Sequence, residues 1–177
     1  MTHAASLQLT ARADRYRDPA RHAIERKAIF GRSWLFMAHT SELRAEGDAV
    51  AATIAGYPLV VVRSGDSLKA FHNVCRHRAG PLVDGDRERC PGGFTCKYHG
   101  WTYTLDGRLR NARDFGAASG FDPRQFGLVP LKVETWRHFV FVNADLDAQP
   151  LADVLAPLDR RLGARDFGGL VHAERRT

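Results

Sequence analysis

Cys75-Arg-His77 and, eighteen residues further on, Cys96-Lys-Tyr-His99-Gly-Trp101 decide how this chain is read. Each short segment offers one thiolate and one imidazole. Two segments of mixed donors suit a binuclear iron–sulfur centre whose irons are ligated differently, with both cysteines on one iron and both histidines on the other. Neither segment then holds the centre alone. A zinc ion is the competing reading, because zinc also accepts two sulfurs and two nitrogens in a tetrahedron. Zinc fingers, however, usually present a Cys pair on one knuckle and a His pair on the other, and gain nothing from mixing them. The surrounding residues argue that the four donors meet. Gly80-Pro81 follows the first pair, Pro91-Gly92-Gly93 precedes the second and Gly100 follows His99. Gly lets backbone approach a bound group closely, and Pro stiffens a loop that must keep one geometry.

Working outward, the apolar residues before the first pair repeat every second position. Val50 to Ile54, Pro58 to Arg63 and Leu68 to Asn73 read as strands, with turns at Gly56 and Ser64-Gly65-Asp66. Phe94-Thr95 and Trp101 to Leu105 flank the second pair. Val129 to Thr135 and His138 to Asn143 are β-branched and aromatic, and read as the last core strands. Many short strands with frequent Gly turns predict a mostly β fold, a small antiparallel sandwich or barrel with the ligand loops at one tip. Before them, Asp18-Pro19 reads as an N-cap with Pro at the first helical position, opening a helix whose plausible stop is Gly31. Its apolar residues Ile24, Ala28, Ile29 and Phe30 need a surface to pack on. Trp34 to Ala38 reads as extended and buried. After Asp145, Pro150 to Leu155 and Leu158 to Leu162 read as two short helical pieces. The expected organisation is a helical lead over 1–48, a cluster-bearing domain over 49–144 and a tail over 145–177.

The length of 177 residues fits one domain, or one domain and a piece of another. No apolar run approaches a membrane span, and residues 1–5 show no basic segment leading into an apolar one, so neither a membrane anchor nor a signal peptide is expected. Three cysteines are too few for a disulfide framework and point to a reducing, cytoplasmic setting, with Cys90 as a spare buried thiol. The net charge of +6 invites a nucleic-acid reading. The basic residues are scattered, with no basic helix and no aromatic–basic alternation, so no nucleic-acid partner is expected. Arg76, Arg78, Arg87, Arg89 and Lys97 against Asp84, Asp86 and Glu88 make a modestly basic rim that could steer an acidic electron-transfer partner, or be no more than a solvated surface.

Cys75-Arg-His77-Arg-Ala-Gly-Pro-Leu82 and Cys96-Lys-Tyr-His99-Gly-Trp101 resemble the Rieske motif of aromatic-ring-hydroxylating oxygenases, in their alpha subunit. Gly56-Tyr-Pro-Leu-Val-Val-Val-Arg63, Ala70-Phe-His-Asn-Val-Cys75, Leu105-Asp-Gly107 and Phe139-Val-Phe-Val-Asn143 share that resemblance, which runs from about Tyr16 to the end. It implies one Rieske-type [2Fe-2S] cluster on Cys75, His77, Cys96 and His99. It also implies an electron-donor reductase or ferredoxin as partner. Respiratory-type Rieske proteins carry an extra Cys in each ligand loop, where this chain has Gly80 and Tyr98, and a hydroxyl donor where it has Trp101. Fewer hydrogen bonds to the sulfurs imply a potential low in the range of about −150 to +300 mV.

Oxygen activation in this family needs a mononuclear Fe(II) held by two His and a carboxylate. The remaining histidines, His3, His22, His39, His72, His138 and His172, show no Asp-x-x-His-x-x-x-x-His pattern. That iron is expected only in a catalytic domain, whose start residues 171–177 resemble. The chain then reads as the electron-transfer part of an oxygenase alpha subunit, with catalytic subunits or domains as partners. A free-standing Rieske ferredoxin-like carrier and a zinc-bound structural module are the alternatives. The substrate is not legible.

Overall fold

The computed structural model describes residues 10–115 and 120–174. The reading of residues 1–5, His3 and residues 175–177 lie outside them.

The chain opens with α1 (Pro19–Ala28), whose first turn is capped as its sequence predicts: the Asp18 carboxylate accepts from the Ala20 N–H at 2.9 Å. The helix stops earlier than Gly31, at Ile29, and tightens into a 3₁₀ turn over Phe30–Arg32. No residue of α1 is buried, and Ile24 and Ile29 face outward. Arg26 ties it down by donating to the carbonyls of Ala55 and Gly56.

Ten strands follow. β1 (Leu35–His39), β2 (Asp48–Ile54), β3 (Tyr57–Ser64) and β4 (Ser67–His72) precede the first ligand loop. β5 (Arg87–Arg89) and β6 (Phe94–Thr95) lie between the loops, and β7 (Thr102–Tyr103) and β8 (Leu109–Asn111) follow the second. β9 (Pro130–Trp136) and β10 (Phe139–Asn143) close the body, and α2 (Leu151–Leu162) packs on β9. All pairings are antiparallel. One sheet has the order β1-β10-β9-β4-β3-β2-β5, and a second has β6-β7-β8. The large sheet curls so that β1 and β2 touch.

The apolar run of β3 explains the layering. Val60 and Val62 point into a core shared with the small sheet, together with Phe71, Phe94 and Tyr103. Leu59 and Val61 point into the curl of the large sheet, with Met37, Leu43, Val50 and Val142. Both faces of β3 are therefore covered, which is why its sequence is continuously apolar instead of alternating. Each fully buried Val or Leu contributes about 1.5–3 kcal/mol.

Several expectations needed correction. β5 and β8 were not foreseen. The helical pieces after Pro150 form one helix that runs through Pro157. Residues 171–174 adopt no regular element. Among the described residues, no helix is long and apolar enough to cross a membrane.

Candidate metal centre

The two ligand loops are built alike. The Cys75 N–H donates to the Gly80 carbonyl at 2.8 Å and the Ala79 N–H returns to the Cys75 carbonyl at 3.0 Å. In the second loop the Cys96 N–H donates to the Trp101 carbonyl at 2.8 Å, and the Gly100 N–H to the Cys96 carbonyl at 2.9 Å. The fourth residue after each cysteine is left-handed, with φ of 58° at Ala79 and 71° at Gly100. That conformation costs Ala about 1 kcal/mol or more and Gly nothing.

The loops face each other across Gly80, where an added Cβ would lie 3.3 Å from Cys96 Sγ and 3.4 Å from Tyr98 Cβ. Both thiols are buried, Cys75 at 3% and Cys96 at 2% exposure. Burial pushes the Cys96 thiol up, against the N–H groups of Tyr98 and His99, which pull it down. The His77 and His99 rings lie edge to face with centroids 4.7 Å apart. His77 is stacked on Trp101 at 4.8 Å, only 8° from parallel, and meets the edge of Phe115 at 5.2 Å. Tyr98 leans on His99 at 3.9 Å. Burial, His99 and Arg78 together hold His77 below its ordinary pKa, which keeps the ring neutral and able to donate a lone pair.

All four sequence-predicted residues are thus brought to one tip. Buried polar groups are nearly always hydrogen-bonded. Yet His77 Nδ1 is buried without a partner, beside two buried thiols. That donor set fits an iron–sulfur cluster, which takes thiolate and imidazole and leaves those groups no need of protein partners. Among the described residues no three Cys, His, Asp or Glu side chains converge on one point. A binuclear centre asks only two protein donors of each iron.

Two supporting residues escaped the sequence reading. The Tyr103 hydroxyl, whose oxygen accepts from the Arg76 N–H at 3.1 Å, lies 3.2 Å from Cys75 Sγ. Burial raises the Tyr103 pKa, so the hydroxyl keeps its proton and would donate it to the sulfur once Cys75 is a thiolate ligand. Trp101 does remove a hydroxyl from its own position, but the sulfur environment is richer in hydrogen bonds than that substitution alone implies. Asn73, buried ahead of Cys75, accepts from the Leu82 and Val83 N–H groups at 3.0 Å each and donates to the Val83 carbonyl at 2.9 Å. It closes the first loop from below. An Asn two residues before a ligand Cys was the available signal for it.

Other donors lie elsewhere. Cys90 is a buried free thiol whose pKa burial raises. His39 spends Nδ1 on Ser41 and Nε2 on the Phe167 carbonyl. His72 packs on Tyr57, and burial lowers its pKa. His138 sits in the β9–β10 turn beside Thr40 and Asp166.

The family model for the Rieske [2Fe-2S] domain matches residues 33–130. The carnitine monooxygenase oxygenase subunit of Acinetobacter pittii is 41% identical over 139 residues, which cover 78% of this chain and 37% of that protein. The biphenyl dioxygenase alpha subunit of Paraburkholderia xenovorans is 35% identical over 175 residues, covering 88% of this chain and 38% of that one. A crystal structure of the quaternary ammonium Rieske monooxygenase CntA with an inhibitor superposes with a TM-score of 0.77 at 38% identity, over 84% of this chain and 41% of its own. Another of that enzyme, at 39% identity and a TM-score of 0.75, is described as giving insight into inter-subunit electron transfer. The chain therefore spans about two fifths of the relatives it matches. A family match over more than half of its residues, centred on the two loops, leads to one conclusion: this chain belongs to the Rieske [2Fe-2S] domain family, and its homologues are the alpha subunits of Rieske oxygenases.

Proposed function

We propose that this chain is the electron-transfer module of a Rieske oxygenase alpha subunit, accepting electrons from a reductase or ferredoxin for a mononuclear iron site outside residues 1–177. The observation that carries the reading is the tip itself: two buried thiols, a buried imidazole nitrogen without a partner and a second imidazole 4.7 Å from the first. Cys75 and Cys96 would hold one iron and His77 and His99 the other. When bound, the cluster supplies a one-electron redox couple.

The protein's own residues do the rest. The two matched turns fix the cysteines, and Gly80 keeps the loops close. Trp101 holds the plane of His77, and Tyr103 donates to the Cys75 sulfur. The half-buried histidines leave an edge towards solvent for electron entry and exit. Residues 49–144 carry the cluster in this reading. β1 from the 1–48 segment completes the large sheet, and α2 in the tail packs on β9. Three free thiols suit a reducing cytoplasm.

The experiment is single-electron reduction of the cluster-loaded chain, followed by assay for hydroxylation with a reductase and oxygen. Reversible reduction without hydroxylation is the expected result. Hydroxylation by this chain alone would overturn the division of labour.

A further inference from the structure

The three tryptophans differ in what their indole N–H meets. Trp34 donates to the Gln149 carbonyl at 3.0 Å, and Trp136 donates to the Asp159 carboxylate at 3.1 Å. Both are only partly buried. Trp101 is enclosed far more tightly, at 1% exposure, yet no group among the described residues accepts from its Nε1. An indole nitrogen can only donate, and a buried one normally finds a partner. Leaving it without one costs about 1–3 kcal/mol.

The surroundings narrow the choice of acceptor. Phe115, Phe121 and Phe126 meet the indole edge-on, at 5.5, 5.9 and 5.9 Å between centroids, and His77 stacks on its face. A phenyl ring is a weak acceptor at best. A buried water needs two or more polar partners. Around the indole the structure offers such a water His77 Nδ1, which the Rieske reading gives to iron. The Cys75 sulfur is met by the Tyr103 hydroxyl instead, and neither cysteine sulfur accepts from Trp101. The acceptors that remain are the sulfides, which only the cluster brings.

We propose that the Trp101 indole N–H donates a hydrogen bond to a sulfide of the cluster, which makes Trp101 a tuning residue as well as the support of the His77 ring. This rests on the Rieske reading and adds a donor to the cluster's surroundings. A hydrogen bond to sulfide favours the reduced, more negative cluster, and such bonds are among the levers that set its potential. Tryptophan at this position then replaces the hydroxyl donor of respiratory-type Rieske proteins instead of merely deleting it. The stack on His77 and the three phenyl edges hold the indole in one orientation, so the donor is fixed before the cluster binds.

The test is hyperfine spectroscopy of the reduced, cluster-loaded chain, carrying tryptophan labelled with 15N at the indole nitrogen alone. The unmodified chain is compared with Trp101→Phe, Trp34→Phe and Trp136→Phe. A 15N coupling to the cluster spin should appear in the unmodified chain, persist in the Trp34 and Trp136 variants and vanish in Trp101→Phe. In a redox titration, Trp101→Phe should also shift the one-electron equilibrium about tenfold towards the oxidised form, roughly 59 mV of midpoint potential. A space-filling role alone gives no 15N coupling. Its absence from the unmodified chain overturns the bond, whatever the potential does, and leaves the Rieske reading standing. A chain without labile sulfide overturns that reading and the bond with it. If Trp101→Phe holds no cluster, the coupling of the unmodified chain, kept in both other variants, decides.

Discussion

The Tyr103 hydroxyl stands 3.2 Å from Cys75 Sγ, and the Arg76 N–H turns it towards the sulfur by occupying its oxygen. A hydrogen bond to a ligand sulfur favours the more negative, reduced state. Removing it by Tyr103→Phe should withdraw about 1 kcal/mol of that preference, which for one electron is roughly 40 mV. The expected outcome is a midpoint potential lower by that amount in a redox titration, with cluster content unchanged. An unshifted potential would place the hydroxyl's role in loop structure alone.

Gly100 and Gly80 should respond differently to added side chains. Gly100 is left-handed, but Ala79 adopts the same conformation at the matching position of the other loop, and an added Cβ at Gly100 meets only Arg113 Cδ at 3.9 Å. Gly100→Ala should cost about 1 kcal/mol and keep the cluster. Gly80→Val puts its branches against Cys96 Sγ and Tyr98, at a site with roughly 2 kcal/mol of overpacking, and should lose most of its labile sulfide. Sulfide analysis of both variants checks the contrast.

Asn73→Ala strips the first loop of three hydrogen bonds and leaves the Leu82 and Val83 groups buried without partners. The expected loss is about 3 kcal/mol, or roughly 6–12 °C in Tm for a domain of this size. Thermal unfolding with and without the cluster measures it. Asn73→Asp keeps both acceptor bonds but buries a charge, and should also destabilise.

The segment after α2 should loosen in acid. Arg137 donates to Asp159 at 2.6 Å and to the carbonyls of Gly163 and Arg165, so one guanidinium fastens this stretch to the β9–β10 turn. That hydrogen bond, with the nearby positive charge, holds the Asp159 carboxyl below the usual carboxylate range. A depressed folded-state pKa stabilises above the unfolded value, and the contribution disappears as pH falls through the lowered one. Amide protection at residues 163–170, after correction for the intrinsic pH dependence of exchange, should therefore fall as pH drops below the ordinary carboxylate range. Asp159→Asn should flatten that dependence.

The donor set and most strands were legible because their signals are local. Two Cys/His pairs with Gly and Pro around them read directly, and β2, β3 and β4 carry period-two or fully buried patterns. β5 was not legible: Arg87-Glu-Arg89 is a short charged edge strand with nothing to bury on its outer side, and such edges resist unwanted pairing. α2 was divided at Pro157 because a lone Pro removes one helical hydrogen bond. The buried Leu151 and the bonds of Trp136 and Arg137 to Asp159 hold the helix together regardless. Tyr103 and Arg113 join the site only through folding. Their neighbours lie 28 and 13 residues away, at Cys75 and Gly100, and no spacing rule links them.

Iron, zinc and acid-labile sulfide per chain, measured on protein purified from its native source, test the central claim most directly. The account predicts about two irons and two sulfides for each copy of Cys75, His77, Cys96 and His99. A third iron without a third sulfide would mean that a mononuclear site travels with the chain, as an oxygenase assembly requires. Zinc without sulfide would contradict the account at its root.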